Sequence, residues 1–136
     1  MEANGFGRRK SAGQGRFTID EPGLAPVSLP QAAQPNAFMT LSAWVPRAGD
    51  PTDVMYKTRI KRGKLAESLA LPSPWKKPLL MLAPGSLARL PEGDAVREWY
   101  GGLVEEIHWP HKQVPEGVVQ FAYAFPLPVH WERGSA

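Results

Sequence analysis

Residues 4–16, "NGFGRRKSAGQGR", combine glycine and cation in a way suited to holding phosphate. Gly5, Gly7, Gly13 and Gly15 form two Gly-x-Gly pairs on either side of Arg8, Arg9, Lys10 and Ser11, and Arg16 follows. Glycine permits positive φ and close backbone approach. Successive amides of such a loop converge on an anion, while guanidinium, ammonium and hydroxyl groups add charge-assisted hydrogen bonds. The spacing is not that of a Walker loop, because Gly13 lies six residues after Gly7 and is followed by Gln14. It is not a dinucleotide fingerprint either: Lys10 stands where the third glycine belongs, and an alternating run follows instead of a helix.

A second basic strip lies in "VMYKTRIKRGKL", residues 54–65. As a strand it places Tyr56, Thr58 and Ile60 on one face and Lys57, Arg59 and Lys61 on the other. Pleating spaces those three cations about 7 Å apart, close to the phosphate repeat of an extended nucleic-acid strand. The segments 8–16 and 57–64 hold nine of the sixteen cations and none of the thirteen acids. The rest of the chain, with seven cations against thirteen acids, is acidic although the net charge is +3. Charge so localised points to a polyanion contact, although short charge runs are most often solvated surface.

Other residue types give less. His108 and His111 in "HWPH" are three apart with Pro110 between them, which blocks a regular helix, and Glu105 and Glu106 complete no zinc spacing. With His130 they are the only histidines, and surface exposure is the default expectation for all three. Glu105 and Glu106 are adjacent, so on a strand they face opposite sides. Asp50 and Asp53 flank Pro51, where acids serve turn geometry. Catalytic and metal-ligating residues are therefore expected to be none, and no cofactor is implied. Phe6 and Tyr56 are of a type that stacks on bases, though packing is the commoner use. Trp44, Trp99 and Trp109 are expected in core or subunit contacts, and Phe121, Tyr123 and Phe125, on one face of "VVQFAYAF", in the core.

The elements that must position these residues read mainly as strands. Alternation predicts them at 15–20, 37–45, 54–65, 79–83, 102–109 and 118–125, with Met39, Leu41, Ala43 and Val45 forming the half-buried face of the second. Residues 21–36 hold four prolines and read as an extended connection; 46–51 read as a turn, and "PLPV" as the end of the last strand. A helical turn or two fits 65–71, and Asp94 could cap a short helix running to Tyr100. A length of 136 residues suits one domain. No apolar run approaches a membrane span. The absence of cysteine excludes disulfides and thiolate metal sites and is compatible with the cytoplasm.

The glycine loop with the strand after it, "GFGRRKSAGQGRFTI", resembles the glycine-rich loop of the RAMP superfamily of CRISPR proteins. "FMTLSAWVP", "MYKTRIKRGKL", "KKPLLMLAPGS" and "VVQFAYAFPLPV" follow in the order of the C-terminal part of the fourth-subunit family of the type III-A Csm complex. The resemblance runs from about Asn4 to Val129. It implies an α+β, β-rich fold: a partial ferredoxin-like (RRM-like) RAMP domain lacking its N-terminal half. Residues 1–20 would be the loop and its strand, 21–36 the connection, 37–129 the β-rich body and 130–136 a tail. It implies a non-catalytic cytoplasmic subunit that holds the 5′ handle of CRISPR RNA. Such a subunit caps the filament of RAMP backbone subunits and contacts the large cyclase/polymerase-like subunit. The loop positions Gly5, Gly7, Arg8, Arg9, Lys10, Ser11, Gly13, Gly15 and Arg16 carry the RNA contact in that resemblance. Lys57, Arg59 and Lys61 join them on the strength of their shared face. The alternative within the superfamily is an endoribonuclease that processes CRISPR RNA; a scaffold domain without RNA contact is the third reading.

Overall fold

The computed structural model describes residues 17–19, 25–64, 75–105, 107–108 and 119–132. The chain is all-β over these residues, with eight strands and no helix among them. The strands are β1 (Ala37–Thr40), β2 (Val54–Met55), β3 (Thr58–Lys61), β4 (Leu79–Leu82), β5 (Leu87–Arg89), β6 (Tyr100–Val104), β7 (Gln120–Ala124) and β8 (Pro126–Val129). They form an antiparallel four-stranded sheet in the order β2-β5-β1-β8 and two antiparallel pairs, β3-β4 and β6-β7.

The expected helix after Asp94 does not form. Residues Pro91 to Asp94 make a tight turn, closed by the Asp94 amide on the Pro91 carbonyl at 3.1 Å with Gly93 at φ 86°. The Arg97 amide then donates to the Tyr100 hydroxyl at 3.0 Å, a side-chain partner in place of a helical carbonyl. The described residues are thus all-β where α+β was expected. The helical turn expected at 65–71 lies outside the described residues, as do most residues of the strand expected at 15–20. Of that strand, residues 17–19 are described and are not in one, and Phe17 and Ile19 are exposed.

The segment 37–45 does not continue as one strand. It stops at Thr40, whose hydroxyl donates to the Ser42 carbonyl at 2.7 Å. The next residues stitch the three sheets together. The Ser42 hydroxyl donates to the Tyr123 carbonyl at 2.7 Å and accepts the Phe125 amide at 2.8 Å. Trp44 bridges Leu82 of β4, and the Val45 amide donates to the Ala122 carbonyl of β7 at 3.1 Å. The buried parity is also the reverse of that expected. Phe38, Thr40 and Trp44 have no exposed surface, whereas Leu41 is 44% exposed.

Phe38, Trp44, Ala88, Leu90, Tyr100 and Ala124 form the core, with Val54, Leu82 and Val96 against it. Phe38 stacks on Tyr100 with ring centroids 4.0 Å apart and meets Trp44 edge-on at 5.8 Å. One cluster therefore joins the four-stranded sheet to the β6-β7 pair, and Leu82 brings in β4. Burial pushes the Tyr100 phenol above its ordinary pKa.

"PLPV" is itself a strand. It pairs with β1 through Ala37↔Val129, Phe38↔Pro128, Met39↔Leu127 and Thr40↔Pro126. Proline is tolerated there because β8 is an edge strand. The Pro128 carbonyl accepts the Ala32 amide and the Val129 carbonyl accepts the Asn36 amide, so both carbonyls of this edge have partners. Asn36 locks this edge further, donating through its side-chain amide to the Trp131 carbonyl at 3.2 Å and accepting the Trp131 amide at 2.7 Å.

Candidate functional site

Strands β3 and β4 form a ladder in the register Thr58↔Leu82, Arg59↔Met81, Ile60↔Leu80 and Lys61↔Leu79. Beyond it the two arms stay together. Lys64 and Trp75 make a bridge, and the Lys76 amide donates to the Gly63 carbonyl at 2.9 Å. The Lys77 amide donates to the Ile107 carbonyl at 2.8 Å, which fastens this end to the chain just past β6.

All four residues of β3 are exposed. Arg59 and Lys61 lie on one face at period two, with Lys57 just before the strand and also exposed. The alternation seen in the sequence is thus present, though β2 and β3 are separate strands. The opposite face carries Ile60 and Tyr56, each 56% exposed, and Leu80, 59% exposed. Tyr56 is therefore not a packed aromatic, and the expected burial of the 79–83 strand is complete only at Met81.

Pairing with β4 brings more positive charge to this hairpin than the 57–64 strip alone supplies. Lys61, Gly63, Lys64, Lys76, Lys77, Leu79, Ile107 and Gln120 line a hollow of about 170 Å³. Ile107 is buried and Gln120 nearly so, which gives the hollow an enclosed wall from the β6-β7 side. Lys64 is held with its ammonium 4.6 Å from the centre of the Trp75 ring, a cation–π contact. Burial, and after it the nearby Lys61 ammonium, lowers the pKa of Lys76. No carboxylate lines the hollow among the described residues.

Arg89, Arg97 and Arg47 have partners within the fold. Arg89 pairs with Asp53 at 3.3 Å and covers the Trp131 ring at 4.8 Å. Arg97 lies over the Tyr100 ring at 5.5 Å and 3.9 Å from Asp50. Arg47 donates to the Leu103 carbonyl. Among the described residues, the remaining cations, Lys57, Arg59, Lys61, Arg62, Lys64, Lys76 and Lys77, lie on the β3-β4 hairpin and its flanks.

No family model, curated protein or solved structure matches this chain.

The loop residues Gly5, Gly7, Arg8, Arg9, Lys10, Ser11, Gly13, Gly15 and Arg16 lie outside the described residues, as do Phe6, Trp109 and His111. Of the remaining histidines, His130 has Nδ1 2.9 Å from the Gln34 carbonyl and Nε2 3.6 Å from Glu132. His108 Nδ1 is buried without a hydrogen-bond partner among the described residues. No group of three His, Asp or Glu side chains stands where it could hold a metal ion among the described residues.

The aromatic face of β7 is not core. Phe121 is 61% exposed and Phe125 43%, and Trp99 beside them is 47% exposed. Gln120, Ala122 and Ala124 are the inward residues. The inward side of the β6-β7 pair is occupied by Tyr100, which stands opposite Ala124 and stacks on Phe38. A side chain at Gly101 would meet the Ala122 and Val45 carbonyl oxygens at 2.6 and 2.8 Å. Ala122 and Ala124 share the inward face with Tyr100 and Gln120, and the rings of Phe121 and Tyr123 lie on the other. Trp99 contacts Tyr123 at 6.4 Å and Phe125 at 6.3 Å, and Phe121 contacts Tyr123 at 4.8 Å, making a continuous aromatic wall.

From the sequence Lys64 belongs to the basic strip but to no site, and Lys76, Lys77 and Gln120 join the hollow without being expected there. The signal for the lysines was the "KK" ahead of the apolar run 79–82. Nothing in the sequence pointed to Gln120, which reaches the hollow only because β7 packs behind it.

Proposed function

We propose that this protein is a non-catalytic, RNA-binding structural subunit of a type III-A CRISPR effector complex. In this reading it is a RAMP-type relative of the fourth Csm subunit, acting in the cytoplasm in antiviral defence. It holds the 5′ handle of the CRISPR RNA and caps the backbone filament next to the large subunit. The observation that carries the RNA contact is the composition of the β3-β4 hairpin. Its segments 57–64 and 75–82 hold seven cations and no acid. An extended polyanion matches an exposed strand with cations at period two. The wall of Trp99, Phe121, Tyr123 and Phe125 supports a subunit role, because exposed apolar patches of this kind favour a protein neighbour. No described helix is long and apolar enough to cross a membrane.

The test is fluorescence anisotropy with a repeat-derived single-stranded RNA across a salt series. Binding whose affinity falls steeply with salt, about −0.7 in log–log slope per neutralised phosphate, is the expected result. A lack of binding at low salt would overturn the RNA reading. Cleavage of that RNA, abolished by His108→Ala or His130→Ala, would replace it with the endoribonuclease reading.

A further inference from the structure

The hollow between the root of the β3-β4 hairpin and the β6-β7 pair differs from the exposed row on β3. It is a recess of about 170 Å³, and its charge comes from both arms of the hairpin: Lys61 and Lys64 on one, Lys76 and Lys77 on the other. Leu79 and the buried Ile107 supply apolar wall. Ammonium groups gathered against such a wall repel one another more strongly than on open surface. The ion pairs of the described residues join Arg89 to Asp53, Arg97 to Asp50 and His130 to Glu132, and none reaches the recess. The positive charge there is thus concentrated, partly screened from water and uncompensated by any described carboxylate.

We propose that this recess is a receptor for a single phosphate dianion, the terminal phosphomonoester of a phosphorylated ligand. A terminal monoester presents three oxygens and close to two charges, enough to engage several ammonium donors at once. An internucleotide diester carries one charge and needs the chain to leave the recess in two directions. The lowered proton affinity of Lys76 agrees with this, since burial beside Lys61 disfavours its charged form until an anion is present. The inference rests on the RNA reading only for the identity of the carrier, an RNA with a terminal phosphate; the recess itself stands on its lysines.

The experiment is calorimetric titration of the full chain with inorganic phosphate, at ionic strength held constant with chloride. A second arm compares one oligoribonucleotide with a 5′-phosphate and with a 5′-hydroxyl. Saturable one-site phosphate binding is expected, weakened about tenfold or more by Lys76→Gln or Lys61→Gln. Arg62→Gln, which removes the same charge outside the recess, leaves it within about twofold. The 5′-phosphate is expected to strengthen RNA binding in the wild-type chain and to lose that advantage in Lys76→Gln. Circular dichroism of each variant checks that it is folded, and Lys64→Gln replaces any that is not. Absence of saturable phosphate binding, or equal loss in Arg62→Gln and Lys76→Gln, overturns the recess as a site. Equal affinity for 5′-phosphate and 5′-hydroxyl RNA overturns the terminal-phosphate assignment. Phosphate binding without RNA binding keeps the recess and removes the RNA reading. RNA binding without phosphate binding does the reverse.

Discussion

The carboxylate of Asp50 accepts the amide of Gly101 at 2.9 Å, across 51 positions of sequence. The same oxygen, Oδ2, accepts the Arg47 amide at 2.7 Å, while the Asp50 amide returns to the Arg47 carbonyl at 3.0 Å. One side chain, only 7% exposed, thus closes the turn at 46–51 and pins the start of β6 to it. An acid read from the sequence as a turn residue is also a tertiary clamp.

Asp50→Ala leaves two amides without their acceptor, one of them at the closely packed start of β6. A loss of about 2 kcal/mol in unfolding free energy is expected from urea denaturation. Asp50→Asn keeps an acceptor oxygen and is expected to lose less. Equal stability of Asp50→Ala and the wild type would remove the clamp.

Gly101 has φ 74°, and a Cβ there would press on two backbone oxygens of neighbouring segments. Neither oxygen sits at the end of a side chain that can swing away. Gly101→Ala is therefore expected to cost at least about 2 kcal/mol, from left-handed strain together with the clash. A thermal melt within a degree or two of wild type would contradict that packing.

Lys76 carries a pH-dependent penalty whose sign is fixed by its lowered pKa. The unfolded chain holds this proton up to the ordinary value of 10.5, while the folded chain releases it earlier because of burial and Lys61. Between the two values the unfolded state binds more protons, so this group's contribution to stability rises with pH there. The penalty is complete below the folded value. Lys61, Lys64 and Lys77 share the recess with it, so charge is what Lys76→Met relieves. The variant is expected to be slightly more stable than wild type at neutral pH, within about 0.5 kcal/mol for a partly exposed site. That advantage should shrink as the pH approaches 10.5, as read from urea midpoints along a pH series. An advantage that grows with pH would reverse the assigned shift.

Arg59→Ala removes a cation from the exposed row without touching the recess. It is expected to flatten the salt slope of RNA binding by about 0.7 if Arg59 sits on a phosphate. Its stability should stay within about 0.5 kcal/mol of wild type, since β3 is exposed. An unchanged slope would take Arg59 out of the interface.

The sequence by itself determined the β-rich character of the described chain, the turn at 46–51, and the strands at 79–82 and 120–124 to within a few residues, whereas the strand expected at 102–109 runs instead over Tyr100–Val104. It also determined that Arg59 and Lys61 share a strand face, because pleating makes that a local property. Only the tertiary structure decided which face of each alternation is inside. Period two specifies a pair of faces but not their sign. Phe38 and Thr40 face in, and Met39 and Leu41 do not, because Tyr100 and Trp44 pack on that side. Ala122 and Ala124 face in because Tyr100, opposite Ala124, already fills that side of the pair with its ring against Phe38. Pro126 and Pro128 are strand residues only because β8 is an edge. The recess depends on strand register and on β7 behind it, so Lys61, Lys64, Lys76, Lys77 and Gln120 become neighbours through packing rather than through spacing along the chain.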